Sequence, residues 1–219
     1  MQEAINQNKL LNFALILSFI TIGYNVIEGI ISIWFGMEDK TLALLGFGVD
    51  SFVEVISGFG IAHMILRMRY TQVESRDKFE RQALRITGFS FYLLTAGLVA
   101  GALLNIIRNN QPDTTLVGII ISTISILTMW WLMNAKKRTG KKLNSDAILA
   151  DANCTKTCFY LSILLLASSG LYEIFNIGWI DAAGSLGIAW FAFSEGRESF
   201  EKAKSDDLSC CCGGSCHTD

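Results

Sequence analysis

Six long apolar segments alternate with short polar ones along this chain of 219 residues. A helix needs about 20 apolar residues to cross the hydrocarbon core of a bilayer. The segments meet that length, and they lie at about 10–35, 41–66, 84–108, 114–134, 146–172 and 178–199. The pattern predicts an all-α membrane protein, in which residues 1–200 form a six-transmembrane-helix bundle and residues 201–219 form a flexible cytoplasmic tail.

Composition supports this interpretation. Hydrophobic residues make up 51% of the chain, proline occurs once, and the mean hydropathy is +0.40. Little chain remains between the segments for a separate folded domain. The first apolar run is much longer than the hydrophobic part of a signal peptide, so we expect the first span to be retained.

The distribution of basic residues predicts the orientation of the bundle. They concentrate between spans 2 and 3 and between spans 4 and 5, and short loops rich in Lys and Arg face the cytoplasm. The residues concerned are Arg67, Arg69, Arg76, Lys78, Arg81, Arg85, Lys136, Lys137, Arg138, Lys141 and Lys142. Both termini are therefore predicted to be cytoplasmic, in a protein of the bacterial inner (plasma) membrane. Nothing in the sequence indicates a nucleic-acid partner.

Two residue pairs at similar depth carry the candidate chemistry. Asp50 and Glu54 lie four apart in the second span, and Cys154 and Cys158 lie four apart in the fifth. A spacing of four places both members of a pair on one helix face. Asp50 and Cys154 each lie about nine residues into their spans, roughly 14 Å deep and near the midplane. Carboxylates at this depth are costly and rarely lack a function.

These side chains predict a metal site between the second and fifth spans. Asp151 shares a helix face with the cysteines and is a fifth candidate ligand. Two thiolates and two carboxylates suit Zn²⁺, and thiolates favour softer ions such as Cd²⁺ or Hg²⁺ over Mg²⁺ or Ca²⁺. The alternative is that the cysteines pack as small hydrophobic residues while the acids form hydrogen bonds between helices.

The sequence also resembles a known family. The stretches TLALLGFGVDSFVEVISG, SDAILADANCTKTCFYLS and GWIDAAGSLGIAWFAFSEGRESF resemble the cation diffusion facilitator superfamily, in particular a compact subgroup that resembles transmembrane protein 163 and lacks the usual cytoplasmic C-terminal domain. The resemblance implies six helices and metal ligands at Asp50, Glu54, Cys154 and Cys158. It further implies metal efflux, usually in exchange for protons, with the metal as transported substrate. Many members have His and Asp at these positions, so the preferred metal stays open.

Other polar residues in the spans have two readings each. Glu28 is expected either to line the ion pathway or carry a proton, or to hydrogen-bond to another span. Asp181 opens the sixth span, where a carboxylate favours the helix N-terminus; it is expected to be mainly structural, or to lie on the route to solvent. Glu173 is expected to be solvated. Gly97 and Gly101 could support a homodimer through the membrane helices, or ordinary packing within one bundle.

The end of the chain is rich in thiols. Its metal-ligating residues are Cys210, Cys211, Cys212, Cys216 and His217. In the reducing cytoplasm these thiols would stay available to capture a soft or borderline metal. Lipidation of the cysteines and a dispensable end are the alternatives.

The sequence therefore predicts a transporter and not an enzyme. It would export divalent transition or soft heavy-metal cations, with Zn²⁺ first and Cd²⁺ or Hg²⁺ as further candidates, with protons as the counter-ion. Uptake of soft metals such as mercury, or a metal-binding accessory role, is the alternative. A thiol oxidoreductase is disfavoured because such enzymes place their cysteines two apart at a helix N-terminus. No nucleotide-binding motif supports ATP-driven pumping.

Overall fold

The computed structural model describes residues 2–70, 77–108, 112–143, 146–175, 177 and 179–204. Within this part of the chain the backbone forms six α-helices. They are α1 Gln2–Glu38, α2 Leu42–Tyr70, α3 Asp77–Arg108, α4 Leu116–Leu143, α5 Asp146–Phe175 and α6 Trp179–Lys204. Each predicted span matches one helix, which confirms the all-α fold class. The last helix continues to Lys204, beyond the predicted boundary at residue 200.

The helices pack as three close pairs, α1 with α2, α3 with α6, and α4 with α5. α2 also contacts α3, α5 and α6, while α1 contacts α4, so the pairs share one interior. The largest hydrophobic core includes Phe47, Leu98, Leu161 and Ile188, which come from α2, α3, α5 and α6. A side chain on the inner face of α2 is therefore within reach of several other helices.

The first helix is more polar on its buried face than on its exposed face. In α1 the buried stripe carries polar side chains at helical spacing, namely Thr21, Asn25, Glu28 and Ser32. The exposed face of the same helix carries large apolar side chains, among them Ile16, Phe19, Ile27, Ile30 and Trp34. An extended apolar face of this kind requires an apolar environment such as lipid.

Four segments of the described chain are long and apolar enough to cross a membrane. They are Lys9–Glu38, Leu42–Gly60, Leu116–Leu143 and Thr155–Phe175, and Phe91–Leu104 is a shorter apolar stretch within α3. The helices α3 and α6 pack tightly on each other and against α2. They thereby complete a six-helix membrane bundle.

Asp181 caps a helix other than its own. Its carboxylate accepts hydrogen bonds from the backbone N–H groups of Leu42 at 2.9 Å and Ala43 at 3.3 Å, at the start of α2. The first N–H groups of a helix have no partner within that helix, and a negative charge there is favoured by the helix dipole. Asp181 therefore has a structural role, as one of the two predictions stated, but the helix it caps is α2 and not α6.

Glu173 plays the same part for α4. Its carboxylate accepts hydrogen bonds from the Thr114 hydroxyl at 2.8 Å and the Thr115 backbone N–H at 2.6 Å, just before the helix begins. Glu173 is partly exposed, in line with the expectation that it is solvated, and the sequence did not indicate its hydrogen bonds to the start of α4. The residues that bond to Glu173 lie almost sixty positions earlier in the chain, so no local sequence pattern indicated these hydrogen bonds.

The connection between α1 and α2 contacts the residues that precede α4. Lys40 and Asp113 form an exposed ion pair at 3.0 Å, and the Asp113 N–H donates to the Asp39 carbonyl oxygen at 3.0 Å. The Thr41 hydroxyl donates to the Thr114 carbonyl oxygen at 3.2 Å. Polar contacts thus tie together this end of the bundle, which the basic-residue pattern predicts to face outward.

Small residues bring α1 and α2 into backbone contact. A Cβ atom added at Gly36 would lie 2.7 Å from the Leu45 backbone nitrogen, so only glycine fits there. In α3 the two candidate dimer glycines differ. Gly101 packs against Leu42 within the bundle, whereas Gly97 faces open space. Packing within one bundle thus accounts for Gly101, and a homodimer stays a prediction.

Candidate metal centre

The inner face of α2 carries Asp50 and Glu54 one turn apart. Asp50 and Cys154 each lie eight residues after the first residue of their helix, in α2 and α5, which contact each other. Asp50 is only 3% exposed, and its Oδ1 atom makes no hydrogen bond to any described group. A buried carboxylate oxygen without a partner is costly unless a ligand or a proton satisfies it.

Carboxylates from two other helices lie near this pair. Glu28 of α1 and Glu195 of α6 are both within electrostatic range of Asp50. Glu28 and Asp50 are likewise within electrostatic range of Glu54. We call these four residues, Glu28, Asp50, Glu54 and Glu195, the central acidic cluster. Such a group of carboxyl groups in the interior of a membrane bundle marks a candidate pathway for cations.

Glu28 is held by hydrogen bonds from two helices. It accepts one from the Tyr24 hydroxyl at 2.8 Å and one from the Ser51 hydroxyl of α2 at 3.1 Å. The hydrogen bond to another span, one of the two roles expected for Glu28, is therefore present. A role in proton transfer or in the ion pathway stays a prediction. Nearby Asn25 is fully buried, and its amide lies within reach of the Glu54 carboxyl group.

Glu195 was not identified from the sequence. It is half-buried in α6 and accepts a hydrogen bond from the Thr157 hydroxyl of α5 at 3.0 Å. Its position continues the buried stripe formed by Ile188, Ala192 and Ser199. That helical spacing is the signal that could have singled it out.

Lys136 of α4 was also missed, because it was counted among the loop residues that set the orientation. Its side chain is buried, with Nζ 2.9 Å from Asp151 Oδ2 and donating to the Thr155 hydroxyl at 3.0 Å. It shares a buried stripe with Met129 and Leu132, and this spacing would have separated it from its basic neighbours. Asp151, a predicted metal ligand, is thus engaged by a lysine.

The structure places the two predicted thiol ligands differently. Cys158 is 5% exposed and packs with Leu17, Met129 and Leu132, from α1 and α4. The backbone of Cys154 lies in α5, but its side chain is outside the described part of the structure. Among described side chains, no three from His, Cys, Asp and Glu lie close enough together to hold one ion. The full ligand set therefore stays a prediction.

The remaining predicted ligands are those of the tail. Residues 205–219, with Cys210, Cys211, Cys212, Cys216 and His217, fall outside the described residues. Asp181 of α6, a predicted pathway residue, is buried beside the start of α2, where it accepts two backbone hydrogen bonds.

A helical membrane bundle with a buried acidic centre is typical of proteins that move cations across membranes. Residues 14–206 match the family described as the cation efflux transmembrane domain. The match covers most of the chain, which therefore belongs to the cation efflux family, as the resemblance to the cation diffusion facilitators predicted. A comparison with curated proteins gives no match. The protein is thus an integral membrane transporter of metal cations, and the metal is its cargo.

Proposed function

We propose that this protein exports Zn²⁺, and the softer ions Cd²⁺ and Hg²⁺, from the cytoplasm of a bacterial cell in exchange for protons. The observation that carries the proposal is a carboxylate oxygen of Asp50, inside the central acidic cluster, that has no partner among the described residues. A transported cation would supply the missing partner and would offset the repulsion between these carboxylates.

The transported ion would be held by Asp50 and Glu54 of α2 together with Cys154 and Cys158 of α5. Thiolates provide the preference for Zn²⁺ and softer metals, since Mg²⁺ and Ca²⁺ favour oxygen ligands alone. Asp151, the fifth candidate ligand, lies one turn from Cys154 in the sequence but is bonded to Lys136, so this ligand set does not include it. Cys158 would have to turn from its apolar surroundings toward α2.

Proton exchange follows from the chemistry of these ligands. A free thiol has a pKa near 8.5, whereas a metal-bound sulfur is a thiolate, so metal binding releases protons. Protons that arrive from outside would reload the site after the ion has left. Inward proton movement would then be coupled to outward metal movement.

Transport by the purified full-length protein in proteoliposomes tests the proposal. Zn²⁺, Cd²⁺ and Hg²⁺ are compared with Mg²⁺ while the internal pH is recorded. Asp50→Asn and Cys158→Ala are measured beside Asp113→Asn, which alters an exposed acid at the end of the bundle. We expect metal flux with opposite proton movement in the wild type and in Asp113→Asn, and at most about 1% of that flux in the two site variants.

The possible failures have distinct meanings. Flux that survives both site substitutions would leave transport standing and reject the ligand assignment. Flux without proton movement would reject antiport alone. In cells, higher metal content in the presence of the protein would show uptake and reject the proposed direction.

A further inference from the structure

Lys136 is an unusual residue for the interior of a membrane protein. It is 1% exposed, and its ammonium group bonds to Asp151 at 2.9 Å and to Thr155 at 3.0 Å. A buried lysine is costly and requires a compensating charge. Asp151 provides that charge, and the pair joins α4 to α5.

The ion pair also bears on the central acidic cluster. Lys136 lies within electrostatic range of Glu54, where its positive charge acts against the repulsion from Asp50 and Glu28. Asp151 holds the ammonium group by a direct contact at 2.9 Å. Lys136 thus contacts the Asp151 carboxylate directly and interacts with the Glu54 carboxyl group at longer range.

The position of the pair relates it to one end of the bundle. Lys136 lies seven residues before the end of α4, and Asp151 lies five residues after the start of α5. At 1.5 Å per residue, both are about 8–10 Å from the end of the bundle that the basic residues predict to be cytoplasmic. Both residues therefore lie nearer to that end than Asp50, which is in the first half of α2.

We propose that Lys136 is an internal competitor of the transported cation, which lowers the affinity of the central acidic cluster for metal, and that Asp151 restrains it. This inference rests on the proposed function, since it requires a divalent cation to bind near Glu54. A site that held its ion too tightly would release it slowly, and a fixed positive charge weakens binding without removing any ligand. Lys136 thus lowers the metal affinity by its charge, and it is not a metal ligand.

The competitor model predicts effects of opposite sign for the two partners. Lys136→Gln removes the positive charge and should lower the apparent KM for Zn²⁺ about tenfold. Asp151→Asn frees the ammonium to approach Glu54 and should raise KM about tenfold. The double variant Lys136→Gln/Asp151→Asn has no net change in charge and should return to within about threefold of the wild type.

A purely structural ion pair makes a different prediction. Removal of either partner would then destabilise the protein, and both single variants would shift KM in the same direction or not at all. Lys136→Arg keeps the charge and should keep the wild-type KM. Lys137→Gln, the same substitution at the neighbouring position of α4, is the matched control and should leave KM unchanged.

The experiment measures initial rates of Zn²⁺ transport in proteoliposomes, with the full-length chain at fixed pH and ionic strength. The midpoint of Zn²⁺-dependent thermal stabilisation is measured in parallel, because it reports binding even in variants that transport poorly. Shifts of opposite sign that cancel in the double variant support the proposal. Shifts of equal sign, or none, overturn it.

Three further outcomes separate the roles involved. If Asp151 were itself a metal ligand, the double variant would stay as weak as Asp151→Asn, which would overturn the assignment of Asp151 as a restraint. A wild type that is neither stabilised by Zn²⁺ nor able to transport it would overturn the proposed function together with this inference. A responsive wild type with an unmoved KM in Lys136→Gln would overturn this inference alone.

Discussion

Two buried carboxylates of the central acidic cluster differ in how well they are satisfied. Glu28 accepts hydrogen bonds from Tyr24 and Ser51, whereas Asp50 has an oxygen without any described partner. Hydrogen bonds fix Glu28 in place and lower the cost of its burial. The Asp50 oxygen would be satisfied by the transported cation. Asp50 should therefore lower the stability of the metal-free protein while it is needed for transport.

Substitution of Asp50 by Asn tests this conflict. Asn keeps the shape of the side chain and cannot carry a negative charge. The carboxyl groups of Glu28, Glu54 and Glu195 lie within electrostatic range of this position. We expect Asp50→Asn to be as stable as the metal-free wild type, or more stable by about 1–3 kcal/mol. Saturating Zn²⁺ should raise the melting temperature of the wild type through the bundle site, and this increment should be lost in the variant.

The tail thiols are common to both proteins and provide an internal reference for this measurement. An Asp50→Asn protein that is less stable without metal, yet retains the full Zn²⁺ increment, would contradict the assignment. Ser51→Ala, which removes a hydroxyl bonded to Glu28, is the matched neighbour on α2. It should cost stability while it preserves the Zn²⁺ increment.

The sequence allowed only part of this site to be predicted. Asp50 and Glu54 stand out because charged residues interrupt an apolar run. Lys136 does not, because it begins a basic run, and only its register with Leu132 distinguishes it from Lys137. Which of these groups actually meet depends on how the helices rotate in the bundle, and no pattern within a single helix determines that rotation.

At the scale of the helices, the contact between α1 and α2 depends on a missing side chain. Gly36→Ala would place a Cβ atom 2.7 Å from the Leu45 backbone nitrogen, so one helix would have to move. We expect a loss of about 1–3 kcal/mol in the free energy of unfolding, measured by denaturant titration in detergent micelles.

Gly23 provides a control in the same helix. A Cβ atom there would meet nothing within 4 Å, so Gly23→Ala should be neutral or should stabilise by up to about 1 kcal/mol. Equal losses for the two substitutions would show that helix propensity, and not the contact between the helices, sets the cost.

Asp181 affects a helix distant in sequence. Asp181→Ala leaves two N–H groups at the start of α2 without their acceptor, and we expect a cost of about 1–3 kcal/mol in unfolding free energy. Asp113→Ala breaks an exposed ion pair and should cost at most about 1 kcal/mol. An Asp181→Ala protein as stable as Asp113→Ala would show that solvent replaces the cap.

Helices were predictable from sequence and their caps were not. The lengths of the apolar runs are local properties, and so every span was located, although α1, α3 and α4 extend seven to nine residues beyond the predicted bounds. Glu173 and Asp181 bond to backbone groups 58 and 139 positions away, respectively. Contacts of that kind follow from the packing of helices, which is why the cap that Glu173 forms was not predicted.

At the scale of the whole molecule, the predicted orientation can be tested by labelling. Lys40 lies between α1 and α2 and Lys142 lies in the last turn of α4, so the two are at opposite ends of the bundle. In intact cells, a membrane-impermeant maleimide should label Lys40→Cys above the wild-type background. Lys142→Cys should be labelled only after permeabilisation.

The reverse labelling pattern would invert the orientation and thus the direction of the proposed transport. Equal labelling of both positions in intact cells would indicate a mixed orientation. The native cysteines are present in both variants, so the wild-type protein measured in each condition gives the background.

The cap that Asp181 forms has a mechanical consequence. It fastens the first turn of α2 to the beginning of α6, and α6 is otherwise the close partner of α3. If the α3–α6 pair rotates against the other four helices while these bonds persist, the contact between Asp181 and the start of α2 is the pivot of the rotation. Displacement grows with distance from a pivot. The largest separation between α2 and α6 would therefore arise at their far ends, near Tyr70 and Lys204.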